Sequence, residues 1–209
     1  MEKRIITFND YSIWEAGSDC LWDLSDFIIR ENYTHHAGVM CSQEISEKIN
    51  VIYNEEQSYC DNSKIYIARD NNRKMIGTIR CLKWDKQQLL PIQKIFGINP
   101  INVIPNAESC EFWHVGRLAV RKGYDFPTLS VFKTLIMHAI KPIVDCDKGY
   151  MIAETDKKLL KCVNSLGMQT IALGEPITYL ASETVPICCS KAGLSPFYQR
   201  NQYLLHYNL

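Results

Sequence analysis

The spacing of apolar residues divides the chain into a helical front, a strand-rich middle and an alternating strand–helix tail. From Tyr11 to Tyr33, the residues Ile13, Cys20, Leu21, Leu24, Phe27, Ile28 and Tyr33 recur mostly at three- and four-residue steps, which predicts a helix with Gly17 as its one weak point. Ile45, Ile49 and Ile52 predict a second helix from Ser42 to Glu56, capped by Ser42. The period then falls to two. Lys64 to Arg69 is predicted as a strand, Asp70 to Arg73 as a turn, and Met75 to Trp84 as the returning strand of a hairpin.

Gln87 to Ala107 holds Pro91, Pro100 and Pro105 and reads as an excursion with one short helix at Ile92 to Phe96. Glu111 to Val120 is apolar almost throughout, the mark of a central strand. After a loop from Arg121 to Phe126, Pro127 is placed to open a helix reaching about Val144. Tyr150 to Glu154 is a strand, and Thr155 or Asp156 caps a helix that ends at Gly167. Met168 to Leu173 and Thr178 to Ile187 read as two further strands, and Ser195 to Leu209 as a packed tail or short helix. Strand, helix, strand, helix in that order makes a βαβ unit whose two strands should be parallel neighbours. The predicted class is α/β: a mixed sheet flanked by helices, in a single domain spanning residues 1–209.

Charge narrows the function. Lys and Arg number 23 and Asp and Glu 23, so the basic excess that phosphate contacts demand of a nucleic-acid binder is missing. No apolar run reaches the length of a membrane span or follows the N-terminal charges as a signal peptide would. The nine cysteines are scattered, odd in number and without a CxxC pair or zinc spacing, so free thiols, no metal and a reducing cytoplasm are expected.

Two segments carry a resemblance. The first is Ile76-Gly77-Thr78-Ile79-Arg80-Cys81-Leu82, and the second is Phe112-Trp113-His114-Val115-Gly116-Arg117-Leu118-Ala119-Val120, with the excursion between them. This order resembles the acyl-homoserine-lactone synthases and the N-acyl amino acid synthases of the GNAT superfamily. Their G-x-x-R-L strand is matched by Gly77 and Arg80, and their W-E-x-x-R-F strand by Trp113 and Arg117. Leu166-Gly167-Met168 and Leu173-Gly174-Glu175-Pro176 resemble a later stretch, so that the likeness covers about Lys64 to Ile187. The chain departs from the pattern in four places. His114 stands where the families keep a glutamate, and Leu24 to Ile28 lacks the arginine of their N-terminal helix. Arg121 is followed by Tyr124 and Phe126 rather than phosphate-loop glycines, and Val163 stands where many acetyltransferases have a tyrosine acid.

The resemblance implies a GNAT-like acyl-CoA N-acyltransferase fold. It also implies an enzyme moving an acyl group from acyl carrier protein or acyl-coenzyme A to the amine of an amino acid or similar small amine, with no permanently bound cofactor. An acyl-homoserine-lactone synthase, an acetyl-coenzyme-A-dependent N-acetyltransferase and an inactive acyl-binding or interaction module are the alternatives. Amide formation from a thioester needs a base, donors for the oxyanion and a place for an extended pantetheine. His114 and Glu111 are the candidate bases, with Arg117 the third catalytic candidate. Strand alternation puts Glu111, Trp113, Val115 and Arg117 on one face and His114 on the other, unless a bulge intervenes. Leu118, Ala119, Val120, Arg121, Phe126 and Thr128 are expected at the acyl donor, and Phe112, Trp113 and Met151 in an acyl pocket, where Phe126 and Met137 also qualify. Arg80 is read as acceptor-binding or structural, its alternative being a buried ion pair. Arg121, Lys122, Lys157, Lys158 and Lys161 form a basic group suited to an acidic carrier protein or the phosphates of coenzyme A.

Overall fold

Long helices need apolar stripes and long strands need apolar runs, and the computed structural model shows where each prevails. It describes residues 2–36, 42–122, 127–179 and 182–206, without the side chains of 33–36. Among these, β1 (Lys3–Thr7), β2 (Tyr11–Glu15), α1 (Leu21–His36), α2 (Ser42–Tyr59), β3 (Ser63–Asp70) and β4 (Met75–Lys83) precede the excursion. The excursion carries α3 (Pro91–Phe96) and α4 (Pro100–Val103). Then come β5 (Glu111–Val120), α5 (Thr128–Asp145), β6 (Gly149–Asp156), α6 (Lys157–Ser165), β7 (Ile171–Ala172), β8 (Ile177–Tyr179), β9 (Ser182–Ser190) and α7 (Lys191–Asn201). The strands form one nine-stranded sheet in the order β1-β2-β3-β4-β5-β6-β9-β7, with β8 also on β9.

The largest difference from the sequence reading is at the front. Tyr11 to Glu15 is strand β2, paired antiparallel with both β1 and β3, and the helix begins only at Leu21. Tyr11 and Ile13 are buried on alternate positions, a period of two that the helical spacing beyond Cys20 obscures. The stretch read as a strand from Met168 to Leu173 pairs only at Ile171 and Ala172, and Thr178 to Ile187 divides between β8 and β9.

Two compact units interleave along the chain. The first takes residues 1–80, 117–139 and 203–209. Its core joins Leu21, Leu24, Phe27, Ile28 and Ile29 of α1 to Ile49 and Ile52 of α2, Ile65 and Ile67 of β3, Met75 and Ala119. Tyr11 ties β2 to α5 through hydrogen bonds of 2.9 Å to Ser130 and 2.8 Å to Thr134. Gly77 is small for a reason: a Cβ there would lie 2.9 Å from Leu135 Cδ1 and 3.2 Å from Val131 Cγ1, so the helix approaches β4 only over a glycine.

The second unit takes residues 81–116 and 140–202. The β5–β6 pair is parallel, as the βαβ order predicts, in the register Glu111↔Gly149 to His114↔Ile152. β6 pairs antiparallel with β9 along its length, from Tyr150↔Ser190 to Asp156↔Thr184. Asp156 caps α6 by accepting from the backbone N–H groups of Lys158 at 2.7 Å and Leu159 at 2.9 Å. Gly167 follows the helix at φ 102°, the left-handed turn read from the sequence. No helix among the described residues is long and apolar enough to cross a membrane, and their cysteines are free.

Candidate active site

β5 carries most of the singled-out residues, and its path decides what each of them meets. Phe112 and His114 are buried on alternate positions. At Arg117 the backbone turns to φ 58°, a left-handed conformation that a side chain with a Cβ adopts at a cost of about 1–3 kcal/mol. The alternation breaks there, and the next buried residue is the odd-numbered Ala119. The simple two-face division of the strand therefore stops short of Arg117.

In the first unit, Arg117 lies among glutamates of α2. Its Nε donates to Glu56 Oε1 at 2.8 Å and its Nη2 to Glu55 Oε2. Arg80 of β4 donates from Nη1 to the same Glu56 Oε1 at 2.7 Å, with its guanidinium 4.8 Å over the ring of Tyr59. Glu56 and Arg80 are 0% and 1% exposed. Burial pushes the Arg80 guanidinium below its ordinary value, against the pull of Glu56. Burial opposes the charge of Arg117 as well, but Glu56 and Glu55 outweigh it and hold that guanidinium above its ordinary value. The two glutamates were not among the residues singled out by sequence, yet a signal for one existed. Ile49, Ile52, Glu56 and Tyr59 are the buried positions of α2, spaced three, four and three apart, so Glu56 sits on the apolar stripe.

In the second unit, His114 is 2% exposed and its Nε2 lies 2.9 Å from Oε2 of Glu154, itself 11% exposed. His114 is opposite Ile152 in the β5–β6 ladder, and Glu154 is two residues further along β6, so the contact runs diagonally to the neighbouring strand. Glu111, the other candidate base, stands at the start of β5 in an ion pair with Lys83, with the two side chains 43% and 53% exposed. The hydrogen bond from Lys83 holds its carboxyl below the ordinary carboxylate range. Phe112 is fully buried against Trp84 and Tyr150, each at 5.9 Å. Trp113 is half-buried with Lys83 5.5 Å over its ring, and Met151 is buried.

The ladder between β5 and β6 ends at His114↔Ile152, although β5 continues to Val120 and β6 to Asp156. Beyond that point β6 pairs with β9 alone. Glu154 faces Pro186 of β9, whose carbonyl accepts from Leu173 N–H at 2.8 Å. The main-chain groups of Pro186 thus face away from β6. A residue opposite in such a pair also turns its own N–H and C=O outward, so those of Glu154 lie on the edge of β6 remote from β9. This also explains how proline sits inside a paired strand: no ladder donor is required of it there.

Of the donor-site residues, Leu118 and Val120 are half-buried and Ala119 buried, and Thr128 is the first residue of α5. Phe126 lies outside the described residues, and Met137 is buried in α5. Arg121 pairs with Glu31 at 2.9 Å and stacks 5.4 Å over Phe27. Lys157 pairs with Glu183. The expected basic group therefore contains at least two cations already engaged within the chain, while Lys122 and Lys158 are exposed. No cluster of metal-ligating side chains occurs among the described residues.

No family model and no curated protein matches the sequence. Solved structures do match. TofI, in a ternary complex with an inhibitor and MTA, superposes at TM-score 0.58 with 16% identity, over 90% of this chain and 95% of its own. FeeM, an N-acyl amino acid synthase from uncultured soil microbes, gives 0.56 and 14% over 87% and 90%. The acyl-homoserine-lactone synthase LasI gives 0.55 and 11% over 90% and 94%. The chain has the GNAT acyltransferase fold.

Proposed function

We propose that the chain is an N-acyltransferase that moves an acyl group from a thioester, carried by acyl carrier protein or coenzyme A, to the amine of an amino acid or similar small amine. The observation that carries this reading is the end of the β5–β6 ladder at His114, where a buried imidazole stands at the point of parting and main-chain amides beyond it are released from pairing. Free strand edges are what an extended pantetheine, itself a chain of amides, needs for hydrogen bonding. Solved structures of an N-acyl amino acid synthase and of acyl-homoserine-lactone synthases share the fold, which supports the reaction class.

In the proposed reaction His114 takes a proton from the acceptor ammonium. The neutral amine adds to the thioester carbonyl, forming the C–N bond, and backbone N–H groups receive the developing oxyanion. The C–S bond then breaks, the thiolate takes the proton that the nitrogen sheds on becoming an amide, and His114 returns its own proton to solvent, giving an amide and a free carrier thiol. Glu111 is left out of this role because Lys83 keeps it ionised and weakly basic. Arg117 and Arg80 act through the network that fixes β5 rather than as acid–base groups. The free thiols support a reducing, cytoplasmic setting.

The test is mass spectrometry of lipid extracts from bacteria expressing the chain or its His114→Asn variant. N-acylated amines present with the native chain and absent with the variant support the proposal, and their masses give acceptor, acyl length and any lactone ring. If purified protein binds acyl thioesters but releases no thiol with any amine, the chain is a binding module and the proposal is overturned.

A further inference from the structure

We infer that Glu154 is a positioning residue for His114, fixing the ring and its tautomer through Nε2; this rests on the acyltransferase reading above. The two side chains meet at 2.9 Å between Nε2 and Oε2, with His114 2% and Glu154 11% exposed. An ionised carboxylate can only accept, so in this contact it is Nε2 that carries the hydrogen. The carboxylate is committed to this one contact. Its other oxygen, Oε1, is buried without a hydrogen-bond partner, and no second ion pair involves Glu154 among the described residues. A half-buried carboxylate whose only described partner is an imidazole holds that ring firmly, because losing the contact would leave the charge uncompensated.

The backbone reinforces the arrangement. Ile152, in line with His114, is the last residue of β6 that pairs with β5, so Glu154 lies just past the parting while β9 continues to fix it from behind. The side chain thus reaches back from the opened part of β6 to the last paired residue of β5. Strand geometry, rather than a loop, sets the angle of the imidazole.

The experiment uses the full chain, labelled with ¹⁵N in its histidines, as the native protein and as Glu154→Gln, which keeps the volume but offers a donor as well as an acceptor. The His114 resonance is identified by its disappearance in His114→Asn. The native ring should be the Nε2–H tautomer, and Glu154→Gln should lose that preference at an unchanged melting temperature. Using the donor and amine found in the lipid extracts, kcat should fall about 10- to 100-fold with KM within about twofold. Glu154→Ala should behave likewise, and it substitutes if the glutamine variant is unstable. An unchanged tautomer in both variants, or an unchanged kcat, overturns the inference. If the native chain makes no product at all, it is the acyltransferase reading that fails, and the tautomer comparison, which needs no substrate, still decides whether Glu154 sets the ring.

Discussion

The two ion-pair sites on β5 are built to opposite ends. Around Arg117, two arginines meet two glutamates, and Oε1 of the central Glu56 accepts from both guanidiniums while its Oε2 is buried without a hydrogen-bond partner. At His114 a single imidazole meets the carboxylate of Glu154, whose Oε1 likewise has no hydrogen-bond partner. The first arrangement is built of guanidiniums, which hold their protons, and the carboxylates that accept from them. The second contains the one side-chain type that ordinarily exchanges its proton near neutrality. A network of guanidiniums and carboxylates is suited to holding a strand in place, whereas an imidazole paired with a carboxylate is suited to passing a proton.

That contrast is open to attack. The largest effect is expected from Glu56→Ala, which removes the carboxylate shared by Arg80 and Arg117 and leaves Arg117 with Glu55. Stability should fall by about 3–5 kcal/mol, read from the denaturant midpoint, and a loss below about 1 kcal/mol would show that the network does not hold the strand. His114→Asn should do the reverse, lowering turnover by about 10²- to 10⁴-fold at a nearly native melting temperature. Arg117→Lys keeps the charge but cannot reach two glutamates with one planar fork. A loss of about 2 kcal/mol is expected, with turnover falling no further than the unfolded fraction explains. The smallest effect belongs to Glu111→Gln, which removes a surface pair worth roughly 0.5 kcal/mol. Because Lys83 depresses the Glu111 carboxyl from its ordinary value of 4.5, that increment is present above this pH and fades as the pH falls below it. Melting curves of native and variant protein should accordingly converge in acid, and turnover should be unaffected. A turnover loss in this variant alone would return Glu111 to the role of base.

The sequence made the βαβ core legible because its signals are local and strong. Pro127 and Asp156 announce helices, and the apolar run from Glu111 to Val120 has the bounds of β5. The resemblance to the acyl-homoserine-lactone and N-acyl amino acid synthases singled out His114, Arg117 and Arg80. What the sequence hid was pairing at a distance. Glu154 was visible as a strand residue, but only the register of β6 against β5 brings it to His114. Glu55 and Glu56 look like the polar end of a helix until the phase of Ile49 and Ile52 is followed to Tyr59. The turn at Arg117 left no trace, since the residue there is not one of those that favour positive φ. At Tyr11 the failure was of another kind: two short-range alternations were absorbed into the longer helical period that follows.

The backbone at Arg117 has a consequence for how the chain can vary. The conformation at φ 58° favours glycine, while the surrounding carboxylates demand a guanidinium. No single residue satisfies both. A change at 117 that relaxes the main chain abandons Glu55 and Glu56, and a change at 56 removes a carboxylate that two arginines share. Sequences that leave this arrangement must therefore alter several positions together, which makes it a point where the history of the chain is locked by epistasis rather than by chemistry at the reacting centre.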